Sequence, residues 1–399
     1  MLNVGVVEKE SCTGCGACEV VCPVGCISMK KDDEGFLAPE VGATRCVSCG
    51  KCLRVCPVSN EVQLFAPRRT IMYRSLDLET RDSSSGGAAY ALGKLVINHG
   101  GAVVACSFDD EGVARHIAVE DENALRSTQG SKYVQSDARG GYRALDTLLS
   151  AGCETLFIGT PCQVAAARSL YPNEKRLATC DLVCHGVPSP EFWRKALAWN
   201  NERGYLKDRA AVMFRGSDRR SRASFELYCK FGSGGRIPYE RDAYFAAFIR
   251  NASLRESCYR CPFACGERAG DLTVGDCASR DQYPGFHPCE SVSSVFANTA
   301  KGEKLLDAIL RGGASDAEEI DFETEARLNK QLHAPSIRPA ERDAIYADLT
   351  LMDYATFVAR YRVATPPAWW VRRAVKTLVP VRLRVVVKRM TREVLGRGR

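Results

Sequence analysis

The sequence predicts a mixed α/β chain, α+β in overall arrangement, with a small cysteine-bound module in front, a larger domain on a mixed sheet, and a helical tail. Three observations predict it. Two cysteine runs of one spacing fill residues 12–57, strand-like and helix-like apolar stretches alternate between about 70 and 300, and residues 341–399 combine helical periodicity with many bases. The expected divisions are 1–62 for the front module, 68–150 and 151–340 for two parts of one domain, and 341–399 for the tail. A length of 399 residues agrees with two or three domains. With 45% hydrophobic and 26% charged residues the chain is of ordinary globular composition, which excludes a disordered or fibrous protein.

Residues 12–23 read CTGCGACEVVCP and residues 46–57 read CVSCGKCLRVCP. Each has three cysteines at two-residue gaps, a fourth after three more residues, and a proline directly behind. Thiolate is the ligand that iron-sulfur clusters require, and this is the run of two-cluster bacterial ferredoxins, where the fourth cysteine of each run ligates the other cluster. The front module is therefore expected to be bacterial-ferredoxin-like. Cys12, Cys15, Cys18 and Cys56 would hold one 4Fe-4S cube, and Cys46, Cys49, Cys52 and Cys22 the second. Paired CxxC units also make zinc sites, but zinc takes four ligands per ion and a repeated triplet trailed by CP is not a zinc-ribbon spacing. Cys26 is left over as a small apolar filler.

The first eleven residues include Glu8, Lys9 and Glu10 and no apolar core, so no secretory leader is expected. No apolar run reaches the roughly eighteen residues of a membrane span. Twenty cysteines would suggest disulfides only outside the cell, and oxygen-labile clusters point to a cytoplasmic protein instead. The net charge of +7 does not point to nucleic acid. Residues 366–399 hold ten bases and one acid, hence +9, which leaves −2 for the rest and no basic groove.

Residues 63–69 (QLFAPRR) read as a linker. DSSSGG at 82–87 then opens a helix ending near Gly100; such a loop can cradle an anion or act simply as a cap. Two apolar runs, 102–108 and 113–119, read as a hairpin. A helix over 141–150 precedes a strand over 155–158, and Gly159-Thr160-Pro161-Cys162-Gln163 turns into the next helix with Pro161 in its first turn. Cys162 at that helix start is a metal ligand, a reactive thiol, or an inert buried cysteine. The strand 177–183 ends in Cys184-His185-Gly186, so Cys162 and Cys184 both fall at carboxyl ends of strands, where ligands collect in open α/β sheets. Antiparallel strands follow, with a turn at 232–235. CYRCPFAC at 258–265 is a third cysteine cluster, which could be zinc, redox-active or iron-sulfur; beside two expected cubes, a third 4Fe-4S cluster is the favoured reading. GxGxxG, GxxxxGK[ST] and HExxH are absent.

SSSGGAAYALG, QGSKYVQSD, LFIGTPCQVAA, CDLVCHGVPSP and SCYRCPFA…GDLTVGD together resemble the family of coenzyme F420 hydrogenase/dehydrogenase beta subunits over roughly residues 70–300. A fused ferredoxin module is common among its members, and its fold is similar to that of 7-hydroxymethyl chlorophyll a reductase. The resemblance implies a flavin-binding domain with FAD beside a 4Fe-4S cluster and coenzyme F420 or another organic hydride partner. It implies Cys162, Cys184, Cys258 and Cys261 as third-cluster ligands and places Ser85, Gly86, Gly87, Ser131, Lys132, Tyr133 and Thr160 near the flavin. Two departures stand out. Cys277-Ala278-Ser279 replaces the bulky residue and tryptophan usual after GD, and Cys265 is an extra thiol; either Cys265 or Cys277 could replace a ligand.

Lys132 is expected to stabilise a reduced flavin and His185 to relay a proton, and both have the alternative of a purely structural role. The expected function is an iron-sulfur flavoprotein oxidoreductase exchanging electrons with a ferredoxin or other redox partner protein. The alternative is an electron-relay subunit without its own substrate, docked on a catalytic partner. Bases interleaved with Trp369, Trp370 and valines suit peripheral contact with the inner face of a membrane.

Overall fold

The computed structural model describes residues 2–204, 212–217, 225–231, 236–283, 291–312 and 315–362. The turn at 232–235 and the basic segment 366–399 lie outside the described residues. In the front module, α1 (Ala17–Val20) and α2 (Lys51–Arg54) each follow a left-handed glycine, Gly16 and Gly50, and β1 (Ile27–Lys31) pairs antiparallel with β2 (Leu37–Val41). The two cysteine runs thus fold as two copies of one loop-and-turn unit around the hairpin.

The second domain contains β3 (Arg69–Ser75), α3 (Ala88–Asn98), β4 (Ala102–Phe108), β5 (Ala114–Val119), α4 (Glu122–Arg126) and α5 (Arg139–Ser150). It continues through β6 (Thr155–Gly159), α6 (Pro161–Leu170), β7 (Leu177–Leu182), α7 (Pro190–Glu202), β8 (Val212–Ser217), β9 (Phe225–Phe231), β10 (Arg236–Pro238) and α8 (Ala243–Ile249). β11 (Leu272–Asp276), β12 (Ser293–Ala297), α9 (Ala300–Arg311), β13 (Ser315–Glu319), α10 (Phe322–Leu328), α11 (Arg342–Leu351) and α12 (Tyr354–Tyr361) complete it.

One sheet has the order β13-β3-β12-β11-β7-β6-β4-β5, so strands from both expected parts, 68–150 and 151–340, interleave. Its centre, β4, β6, β7 and β11, is parallel, and antiparallel strands close both edges. α3 and α9 cover one face and α5 and α6 the other, as expected for a sheet with a parallel core. β8, β9 and β10 form a separate antiparallel sheet.

Two boundaries differ from the sequence expectation. Phe65 in the expected linker exchanges both backbone hydrogen bonds with Arg268, and Arg69 already begins β3, because an edge is available there to satisfy the chain. The expected tail begins too early. Ile345, Tyr346, Leu349 and Phe357 are buried in one aromatic core with Phe36, Phe192, Phe214 and Tyr244, so α11 and α12 belong to the body. Among the described residues no helix is long and apolar enough to cross a membrane.

Among the described residues the most deeply buried ion pair joins Arg268 to Asp181 at 2.8 Å, with side chains 1% and 0% exposed. Arg268 also donates to the carbonyls of Phe263, Cys265 and Leu182 and to the Thr273 hydroxyl, and Asp181 accepts the Gly270 N–H. Removing one member leaves the other charge stranded. Arg268→Met should therefore cost about 3–5 kcal/mol in urea unfolding. The double variant Arg268→Met/Asp181→Leu should recover part of that loss, since no lone charge remains.

Candidate functional site

The parallel strands run in one direction, so their carboxyl ends open on one cavity of about 950 Å³, large enough for a dinucleotide-sized ligand. Ala105 and Cys106 of β4, Ile158 to Thr160 at the end of β6, Leu182 to Cys184 at the end of β7, and Val274 to Asp276 of β11 line it. This is the ligand position of an open α/β sheet.

The loop ahead of α3 forms one wall. Ser83, Ser84, Ser85, Gly87 and the first turn of α3 line the cavity, and helix starts leave N–H groups free for an anion. Gly86 packs under the loop, where a Cβ would lie 2.2 Å from the Tyr73 carbonyl oxygen. The Ser85 hydroxyl donates to the Val292 carbonyl at 2.8 Å, so it fastens the loop to β12. Ser131 donates its N–H to the Ser84 hydroxyl at 2.6 Å, which brings the second predicted segment onto the first. Lys132 lines the cavity half-buried, its ammonium donating to the carbonyls of Thr128 and Gln129 at 2.8 and 2.6 Å. Burial pulls its pKa down to about 8. Tyr133 stacks on Phe248 with centroids 4.6 Å apart and accepts a hydrogen bond from Arg215 at 3.0 Å; Arg215 also pairs with Asp276 at 2.7 Å.

Cys162, at the start of α6, and Cys184, after β7, meet the Cys258 and Cys261 pair. Burial raises the pKa of all four thiols, that of Cys258 to about 11 and of Cys261 to about 12. Cys184 feels the charges of the other three, and Cys258 and Cys261 both feel Cys162. Mutually repelling buried thiolates are stabilised when a polycationic centre neutralises them, so the donor set fits a 4Fe-4S cube. Gly186 has φ +120°, and a Cβ there would lie 2.8 Å from Leu254 and 3.2 Å from the Cys258 Cβ, so glycine lets this strand end approach the cysteine loop. Cys265 and Cys277 do not join the group. The Cys265 thiol points to the carbonyls of Pro262 and Glu267. Cys277 lies beside Ser279 and the buried Glu325, whose carboxylate accepts the N–H groups of Ala278 and Ser279 and so fixes Ala278 at the cavity wall.

The front module repeats this grouping. Cys15, raised to about 12 by burial, feels Cys56 and Cys12, and Cys18 feels Cys15, Cys12 and Cys56, so Cys56 of the second run stands beside three cysteines of the first. Cys22, Cys46, Cys49 and Cys52 line a separate small cavity, and Cys26 lines it too. Cys15 also feels Cys162, which makes the first set the neighbour of the inner one. The order from the surface inward is thus Cys22/46/49/52, then Cys12/15/18/56, then Cys162/184/258/261, then the cavity. Among the described residues no group of three or more His, Cys, Asp or Glu is arranged to hold a single metal ion.

Sequence reasoning missed the side chains that hold these sets together, since none has a spacing signature. Arg255, 3% exposed, donates to the Cys12 carbonyl at 2.6 Å and the Leu37 carbonyl at 2.9 Å, three residues before Cys258. Gln135 accepts the Leu37 N–H at 2.9 Å. Gly14 (φ +66°) has no room for a Cβ, which would fall 2.3 Å from Gln135 and 2.5 Å from the Leu37 carbonyl oxygen. Arg139 joins Glu19 of α1 at 2.5 Å. His185, unlike these, was named from the sequence, and it lines the cavity beside Cys184, bonded to Asn251 and packed on Phe248. His116 also lines it, stacked on Phe157, with Nε2 3.2 Å from the Ile158 carbonyl and Nδ1 3.5 Å from the Ser136 hydroxyl.

Burial lowers the His116 pKa from 6.5 to about 4, so the folded chain keeps the imidazole neutral. Between about pH 6.5 and 4 the unfolded chain takes up a proton that the folded one does not, and stability falls as pH falls. His116→Gln should flatten that acid limb in thermal melts and leave the profile above pH 6.5 parallel to that of the parent.

Residues 153–323 match the family described as the C terminus of the beta subunit of coenzyme F420 hydrogenase/dehydrogenase, and residues 11–60 match the 4Fe-4S dicluster domain. One subunit of the F(420)H(2) dehydrogenase of Methanosarcina mazei is 25% identical over 332 residues, covering 76% of this chain and 84% of that protein. Among solved structures, a chain of the F420-reducing [NiFe] hydrogenase complex from Methanosarcina barkeri is 16% identical, with 67% of this chain and 91% of that one covered at a TM-score of 0.46. The two family matches agree with the resemblance read from the motifs: a stretch that matches the 4Fe-4S dicluster domain precedes one that matches the C terminus of the coenzyme F420 hydrogenase/dehydrogenase beta subunit.

Proposed function

We propose that the protein is an iron-sulfur flavoprotein oxidoreductase that passes electrons through three 4Fe-4S clusters to or from FAD and couples them to hydride transfer with coenzyme F420 or another organic substrate. The observation that carries this reading is the succession of three thiol sets ending at Cys184, which lines the 950 Å³ cavity. The inner cluster would be held by Cys162, Cys184, Cys258 and Cys261, and the flavin by the 83–87 loop, Ser131 to Tyr133 and Thr160. Clusters carry single electrons and a flavin one or two, so the pair converts single-electron flow into hydride transfer.

The chain's own residues set the conditions. The α3 start offers N–H groups to a phosphate, and the Tyr133–Phe248 stack gives a flat apolar wall. Lys132 supplies a positive charge whose position is set by the Thr128 and Gln129 carbonyls in the turn after α4. His185, neutralised by burial, is oriented by Asn251 to hold or pass a proton at the cavity wall. The electron-relay reading draws on the Methanosarcina mazei relative being named as one subunit of a dehydrogenase; a cavity of this size at the strand ends favours an enzyme. A redox partner protein would exchange electrons at the outer thiol set.

Anaerobic purification should yield about twelve irons and sulfides per chain and one FAD, with reduction by reduced coenzyme F420. Eight irons without flavin would leave only the relay. If Lys132 stabilises negative charge, turnover should fall as pH rises through about 8, where its ammonium loses its proton. Lys132→Gln should remove that limb and cut kcat/KM by at least about tenfold at pH 7 with iron content unchanged.

A further inference from the structure

The outer thiol set carries hydrogen-bond donors aimed at its sulfurs. Cys26 Sγ lies 3.4 Å from Cys22 Sγ, and the Cys26 backbone N–H points at the same sulfur at 3.3 Å. Cys22 bound as a thiolate has no proton to give, so Cys26 S–H is the donor. Asn3 Nδ2 lies 3.4 Å from Cys46 Sγ, and the Asn3 Oδ1 accepts the Gly5 N–H at 2.9 Å, which fixes which end of the amide faces the sulfur. Both residues are buried, at 4% and 6% exposure, and both line the cavity shared by Cys22, Cys46, Cys49 and Cys52. The middle set differs. The Ala17 and Glu19 backbone groups bond Cys15 and Cys18, but among the described residues no side chain donates to the sulfurs of Cys12, Cys15, Cys18 or Cys56, and Cys15 packs with Ala17 and Val55 in an apolar cluster.

Reduction adds negative charge to a cluster. Donors on the ligand sulfurs stabilise that charge and raise the potential, and apolar burial opposes it. We infer that Cys26 and Asn3 are positioning residues that raise the reduction potential of the outer cluster above that of the middle one, making the outer set, whose Cys49 is exposed, the electron reservoir at the protein surface. The inference rests on the dicluster reading of the front module and deepens the proposed function by assigning its outer terminus.

The test is a potentiometric titration of the anaerobic full-length protein followed by electron paramagnetic resonance, with the outer signal identified as the one altered in Cys49→Ser. Cys26→Ala should lower the equilibrium constant for reducing the outer cluster about tenfold, which is 59 mV for one electron, and leave the middle cluster unmoved. Cys26→Ser, whose hydroxyl still donates, should sit between that variant and the parent. Asn3→Leu should shift the potential in the same direction as Cys26→Ala. An outer potential unchanged in both Cys26→Ala and Asn3→Leu would overturn the inference. So would loss of four irons in Cys26→Ala, which would make Cys26 a ligand. A parent protein with no iron in the front module would overturn the inference together with the dicluster reading, and iron counts on the parent separate that case from the others.

Discussion

The buried pair of Arg268 and Asp181 determines where the inner cysteines stand. Asp181 lies near the carboxyl end of β7, three residues before Cys184, and Arg268 closes the loop that begins at Cys258. Their contact draws that loop onto the strand end, and the guanidinium spends its other N–H groups on the loop's own carbonyls. A pair this dry contributes less to net stability than its geometry suggests, because desolvation opposes the attraction. Its consequence is specificity of placement: one thiol just after β7, one at the start of α6 and two on a distant loop come together.

The front module is seated by the same kind of chemistry at smaller scale. Arg255 reaches from beside the inner thiols to the Cys12 and Leu37 carbonyls, and Arg342, 2% exposed, grips Glu34 at 2.6 Å. Phe36 enters the aromatic core of the larger domain, so hydrophobic burial and oriented charge act on the same hairpin. The docking brings Cys15 next to Cys162 and joins two separately encoded cysteine modules into one succession.

The cavity follows from topology. Parallel pairing of β4, β6, β7 and β11 sends four strand ends to one edge, where their backbones stop pairing and their side chains face a common space. Thr160, Cys184 and Asp276 are far apart in sequence and converge because each follows or ends one of these strands.

Legible along the chain were the two front cysteine runs, whose repeated spacing points to 4Fe-4S clusters, strands at 102–108, 155–158 and 177–183, and a loop suited to an anion ahead of α3. These are local signals, carried by spacing, periodicity and turn residues. The tertiary structure alone decided that Cys265 and Cys277 stand apart from the inner set, that Glu325 shapes the wall after Gly275-Asp276, that α11 and α12 belong to the core, and that Cys26 is a donor-bearing neighbour of a ligand. Each of these depends on contacts between residues tens to hundreds of positions apart, or on the direction of one side chain. Such contacts are selected by close packing and by the cost of leaving a buried charge unpaired, and neither leaves a periodic mark along the chain.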